Sequence, residues 1–219
     1  MAAIVFDLDG TLVQSAPDIH SAANQMLVAN GRNELPLDRV TSFIGNGVPK
    51  LIERVMIASD IAVTDVSHAQ LMEQFSELYA ADPTGKSYLF DGVLQALKKL
   101  SAAGHKLAIC TNKPFDMTVK VLDGLNISHF FDAVIGGDSL PVNKPNPAML
   151  FKVLELLAVK DCFYIGDSEV DASTAENARQ PFFFYTEGYS KVSYDNMVAE
   201  AKFNHFDELY DLIEKHRTF

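Results

Sequence analysis

Apolar residues follow two rhythms along this chain. Short unbroken runs at residues 3–6, 107–110, 133–135, 162–165 and 182–185 lie between turn signals. Runs of that length predict strands buried on both faces of a parallel sheet. Between them apolar positions recur at helical spacing: Val93, Leu94, Leu97 and Leu100 before Gly104, then Val119, Leu122 and Leu125, then Met149, Leu150, Val153, Leu154 and Leu157. The alternation predicts an α/β fold, a doubly wound parallel sheet of Rossmann-like form, with ligands at the carboxyl ends of its strands.

One stretch breaks the alternation. Residues 14–86 carry three or four amphipathic helical patterns in succession with no convincing strand between them. This predicts a helical cap over 14–86, inserted into a core of 1–13 and 87–219. Ser15-Ala16-Pro17-Asp18 reads as a capping box opening its first helix, Gly31 as that helix's end, and Asp82-Pro83-Thr84-Gly85 as the turn back to the core.

Composition narrows the setting. The 219 residues are 48% hydrophobic and 21% charged, ordinary values for a folded globular chain. No apolar run approaches the ~18 residues of a membrane span, and no secretory-signal pattern is found, so a cytoplasmic protein is expected. A net charge of −11 argues against nucleic acid or an anionic membrane as partner. An anionic substrate would have to meet its cations locally. Cys110 and Cys162 sit in strand-like runs rather than a CxxC pair and read as reduced core residues, while the six histidines show no zinc-type spacing.

The candidate chemistry lies where the strands end. Asp7-Leu8-Asp9-Gly10-Thr11 follows the first run. As a bare Asp-Gly turn it would be unremarkable, but residues two apart in an extended segment point the same way, so both carboxylates can face one site. Thr111-Asn112-Lys113-Pro114, Lys144-Pro145 and Gly166-Asp167-Ser168-Glu169-Val170-Asp171 follow later. Each has a bland reading of its own: a helix cap, a solvated loop lysine, and a Ser168–Asp171 capping box. An Asp pair, a hydroxyl, a lysine and an acidic cluster at one predicted ligand edge are better explained as one site.

In this order DxDGT, the Thr, the distant Lys-Pro and GDSxxD resemble the four motifs of the haloacid dehalogenase superfamily, and with the cap the likeness spans essentially the whole chain. Residues 136–141, Lys144-Pro-Asn-Pro-Ala and Gly166-Asp-Ser-Glu-Val-Asp resemble its phosphoglycolate phosphatase branch. The resemblance implies a phosphomonoester hydrolase acting on a small phosphorylated metabolite, with phosphoglycolate as the branch's substrate. Sugar-phosphate phosphatases, phosphomutases and pyrophosphatases share the framework. It implies Asp7 as nucleophile, Asp9 as acid–base, and Thr111 and Lys144 beside the phosphate. Gly10 and the Asn112 amide would also bind substrate. Asp7, the Asp9 backbone carbonyl and Asp167 form an all-oxygen set suited to Mg²⁺, with Asp171 orienting its waters or Lys144. A dehalogenase would need neither the Asp9 proton nor the metal. A phospho-accepting receiver would lack the cap, and a dead binding module would lack one of these residues. In the cap, Asn46, Gly47 and Lys50 are the candidate contacts to the substrate's far end, with Arg54 one turn on.

Overall fold

The computed structural model describes residues 2–217. Along it run β1 (Ala3–Phe6), β2 (Val13–Gln14), α1 (Ala16–Ala29), α2 (Leu37–Thr41), α3 (Val48–Ala58), α4 (Asp65–Ala81), β3 (Tyr88–Leu89), α5 (Val93–Ala102), β4 (Lys106–Cys110), α6 (Phe115–Gly124), β5 (Ala133–Ile135), α7 (Ala148–Leu157), β6 (Cys162–Gly166), α8 (Glu169–Ala178), β7 (Phe182–Tyr185), β8 (Ala201–Phe203) and α9 (Leu209–His216). Six strands form one parallel sheet in the order β5-β4-β1-β6-β7-β8. The five expected runs are all strands of it.

Alternation along each strand divides the apolar side chains between two cores. Ile4, Phe6, Leu107, Ile109, Phe163 and Ile165 enter a core shared with the cap helices, whereas Ala3, Val5, Ala108, Cys110, Cys162 and Tyr164 face α7 and α8. A strand buried on both faces has no polar side to show, which is why these runs read as continuous. Both cysteines are free and buried, and burial pushes the Cys110 thiol up to about 12, so it is inert. Among the described residues no helix is long and apolar enough to cross a membrane.

Three features depart from the sequence expectation. β8 joins the sheet edge with only three residues, and β2 pairs antiparallel with β3 in a two-residue ribbon where the chain enters and leaves the cap. The Ser15–Asp18 capping box does not form: Ser15 caps α1 without a side-chain hydrogen bond. Asp18 instead accepts from the Lys86 N–H at 3.0 and 3.1 Å, the Ser87 N–H at 2.7 Å and the Ser87 hydroxyl at 2.5 Å. A buried carboxylate collects whichever donors surround it, and here those come from the returning chain. It thereby fastens the cap's exit to its first helix.

Candidate active site

Three adjacent strands deliver the site. Asp7 follows β1, Thr111 follows β4 and Asp167 follows β6, all at the carboxyl edge of the sheet. The Asp7 N–H continues the ladder onto the Ile165 carbonyl at 2.9 Å. Beyond it the buried Leu8 carbonyl takes the N–H groups of Thr11, Leu12 and Val13 at 3.3, 3.0 and 3.0 Å, closing a tight loop. That loop keeps Asp7 and Asp9 on one cleft, as the two-residue spacing predicted.

Gly10 shapes the loop from within. Its φ is +89°, and a Cβ there would lie 2.4 Å from Asp167 Oδ2. Gly10→Ala therefore combines a left-handed strain with a collision against a candidate metal ligand. We expect a loss of at least ~100-fold in kcat, with the chain still folded by circular dichroism, because a misplacement of ~1 Å at a reacting centre costs about that much. An activity within a few-fold of wild type would refute this packing.

Asp7, Asp167 and Asp171 are buried, with one carboxylate oxygen of each lying within 4.8 Å of the others. Lys144 Nζ meets Asp7 Oδ1 at 2.9 Å and Asp171 Oδ1 at 2.7 Å, and donates to the Tyr164 hydroxyl at 3.0 Å. Burial opposes the Lys144 charge, but Asp171 and Asp7 more than reverse it and hold the ammonium protonated. Asp171 also accepts the Tyr164 hydroxyl on Oδ1 and the Ser168 N–H and hydroxyl on Oδ2. The Ser168–Asp171 capping box thus forms, and with Lys144 and the Tyr164 hydroxyl it fills the four acceptor positions a carboxylate offers.

Asp167 is less fully engaged. Its Oδ1 accepts from the Thr11 hydroxyl at 2.7 Å and its Oδ2 from the Tyr189 N–H at 2.6 Å, so each oxygen keeps a lone pair. Asp7 Oδ1, although touching Lys144, is buried without an aligned hydrogen bond. Burial, then Asp171 and Asp7, push the Asp167 carboxyl well above the ordinary range, and burial raises Asp7 to about 6 against the pull of Lys144. Hard oxygens with free lone pairs, crowded and short of positive charge, fit a divalent cation.

Asp9 pairs with a different cation. Both its oxygens meet Lys113 Nζ at 3.1 Å, and that ammonium also lies 4.4 Å from the centre of the Tyr79 ring. Lys113 is buried and stands beside the acid–base candidate. Sequence reasoning quoted it only as part of the motif and gave it no role; its place two residues after Thr111 was the one available signal. Thr111 lines the same cleft. The Asn112 side chain donates to the Gly45 and Lys144 carbonyls at 3.0 and 3.2 Å and accepts from the Lys144 N–H at 2.9 Å. The Asn112 side chain thus clasps the cap loop to the Lys144 loop.

The cap candidates separate. Gly47 and Gly45 line the cleft with positive φ, and Asn46 lines its acidic side. Arg54 donates to the Phe43 carbonyl and to Asn46 Oδ1, both at 2.8 Å, and so braces this loop from behind. Lys50 is the correction: it is on the solvent face of α3, its side chain 47% exposed, paired with Glu53 at 2.7 Å and absent from the cleft wall. The i,i+3 spacing to Glu53 satisfies it locally. Lys50→Ala should leave kcat/KM within about twofold on every substrate, since exposed pairs contribute little; a substrate-selective loss in steady-state assays would return Lys50 to the site.

Known proteins resemble this chain over nearly its whole length. The model of the haloacid dehalogenase-like hydrolases matches residues 4–184. A phosphoglycolate phosphatase of Cereibacter sphaeroides is 44% identical over 213 residues, covering 97% of this chain and 98% of that one. A phosphoglycolate phosphatase of Rhodobacter capsulatus is 40% identical over 216 residues, covering 97% and 96%. The crystal structure of a predicted phosphoglycolate phosphatase from Haemophilus somnus superposes with a TM-score of 0.91 at 29% identity, covering 97% of both chains. This chain belongs to the haloacid dehalogenase-like hydrolase family. Within that family it is an enzyme of the phosphatase kind.

Proposed function

We propose that the chain hydrolyses 2-phosphoglycolate with Mg²⁺ and a phosphorylated Asp7. Identities of 44% and 40% to phosphoglycolate phosphatases, each over 97% of this chain, support the substrate. The division of labour between Asp7, among buried carboxylates and Lys144, and Asp9, against Lys113, supports the mechanism.

A carboxylate approaching a phosphate dianion meets about 4 kcal/mol of repulsion per charge pair at 4 Å in an effective dielectric of 20. Lys144 offsets part of it, and Asp7, Asp167 and the Asp9 backbone carbonyl would hold the Mg²⁺ that supplies the rest by polarising the phosphoryl oxygens. Asp7 attacks phosphorus through a carboxylate oxygen, and the phosphorus–oxygen bond to the leaving group breaks. Asp9 gives that oxygen its proton, releasing an alcohol, then takes a proton from the water that opens the acyl phosphate. Thr111 supports the phosphoryl group from the end of β4. The cap closes over the reacting atoms and excludes water other than the attacking one.

A substrate panel tests this reading. Phosphoglycolate should give the highest kcat/KM among phosphoglycolate, sugar phosphates and pyrophosphate, with one phosphate freed per turnover. A preferred sugar phosphate would move the enzyme to another branch, and isomerised sugar phosphate without free phosphate would make it a mutase.

A further inference from the structure

Asp7 and Asp9 stand where two lobes of the cleft meet. One lobe leads to Asp167, Ser168 and Tyr189, the side of the carboxylate cluster. The other is walled by apolar side chains of both cap and core, among them Ile19, Leu51, Phe75 and Met117. Besides Asp7, Asp9, Thr111 and Asn112, two polar side chains line it, Lys113 from the core and Tyr79 from α4. The Tyr79 ring is stacked on Phe75, one turn earlier, with centroids 5.9 Å apart and planes 11° from parallel. Its hydroxyl is buried without an aligned hydrogen bond, and the Lys113 ammonium is the charge that acts on it. Such a group costs stability wherever it is not completed by a ligand.

From these observations the geometry points to a leaving-group subsite in which the Tyr79 hydroxyl and the Lys113 ammonium together receive a carboxylate. The inference rests on the phosphoglycolate reading above and names the residues that would recognise its acid end. Lys113 Nζ meets both Asp9 oxygens at 3.1 Å and otherwise lies against Tyr79, ring and hydroxyl, neutral groups that a carboxylate oxygen outcompetes as acceptors. Asp9, which protonates the leaving oxygen, touches the same ammonium. The carboxylate site therefore lies a short reach from the scissile bond, as a two-carbon acid requires. A sugar would fit poorly, because its several hydroxyls would face Ile19, Leu51, Phe75 and Met117 without partners. Lys50, paired with Glu53 on the solvent face of α3, cannot serve this end.

The full-length Mg²⁺-loaded enzyme is compared on phosphoglycolate and on ethyl phosphate, which has the same two-carbon length without the acid. Tyr79→Phe should lower kcat/KM for phosphoglycolate roughly tenfold, mainly through KM, and leave ethyl phosphate within twofold. Lys113→Met disturbs Asp9 as well, so it should slow both substrates, but phosphoglycolate by about tenfold more, and Lys113→Arg should recover part of the difference. Glycolate supplies a binding readout: its competitive inhibition constant against ethyl phosphate should rise about tenfold in Tyr79→Phe, with an unliganded melting temperature no lower than that of the wild type. Equal losses on both esters, or an inhibition constant that does not move, overturn the subsite. If the wild type prefers a different ester, the phosphoglycolate reading fails by itself. Glycolate inhibition then still decides the subsite, which stands if Tyr79→Phe weakens it and falls if glycolate does not inhibit.

Discussion

Asp7→Asn should abolish phosphate release, by on the order of 10⁴-fold or more in kcat, while the protein melts at or above the wild-type temperature. The loss follows because the amide is nearly the same shape but a poor nucleophile. The preserved stability follows from the surroundings of the residue. Asp7 is buried beside Asp167 and Asp171, and its carboxyl is already pushed up to about 6, so in the absence of metal its charge is an electrostatic burden. Lys144, the partner it deserts, retains Asp171 at 2.7 Å and the Tyr164 hydroxyl at 3.0 Å. Inorganic phosphate binding by calorimetry should persist within about tenfold, separating loss of chemistry from loss of the site. Turnover near the wild-type rate would remove Asp7 from the nucleophile's role.

The second large effect concerns the metal. A chelator should take activity to background, and Mg²⁺ should restore it. Asp167→Asn should raise the Mg²⁺ concentration for half-maximal rate by ~100-fold, keeping the side chain's volume between Thr11 and Tyr189. The sign of the pH effect follows from the same carboxylates. Asp7 and Asp167 hold protons above the ordinary carboxylate range and must release them to take a cation. The rise in melting temperature on adding Mg²⁺ should therefore be larger at pH 8 than at pH 5.5. A rise that is equal at the two values, measured by calorimetry, would mean that these carboxylates do not hold the ion.

What the sequence made legible was whatever is local or doubly buried. The strand-end positions of Asp7, Thr111 and Asp167 followed from apolar runs, and the Ser168–Asp171 box from a four-residue pattern. Interactions that close over long stretches of chain left no such trace. Asp18 has the spacing of a cap but bonds to residues 86 and 87, about seventy positions away. Tyr79 continues the i,i+4 series of Leu71 and Phe75 and reads as one more core aromatic. Only the folded cleft shows its hydroxyl without an aligned hydrogen bond and next to Lys113. Lys50 and Lys113 are both lysines next to a plausible site. Which one faces it depended on helix phase at α3 and on the turn after β4, neither of which composition resolves.

Tyr189 deserves a mechanical reading. Its backbone N–H holds Asp167, while its hydroxyl accepts the N–H groups of Ser15 and Ala16 at 2.9 and 3.0 Å and donates to the Gln14 side chain. One residue thus spans from a carboxylate of the acidic cluster, held by its backbone, to the peptide units where α1 begins, held by its hydroxyl. Displacing either end by more than the ~0.5 Å a hydrogen bond tolerates must drag or release the other. The helical cap and the acidic cluster are consequently two ends of a single strut, and their positions are not independent coordinates.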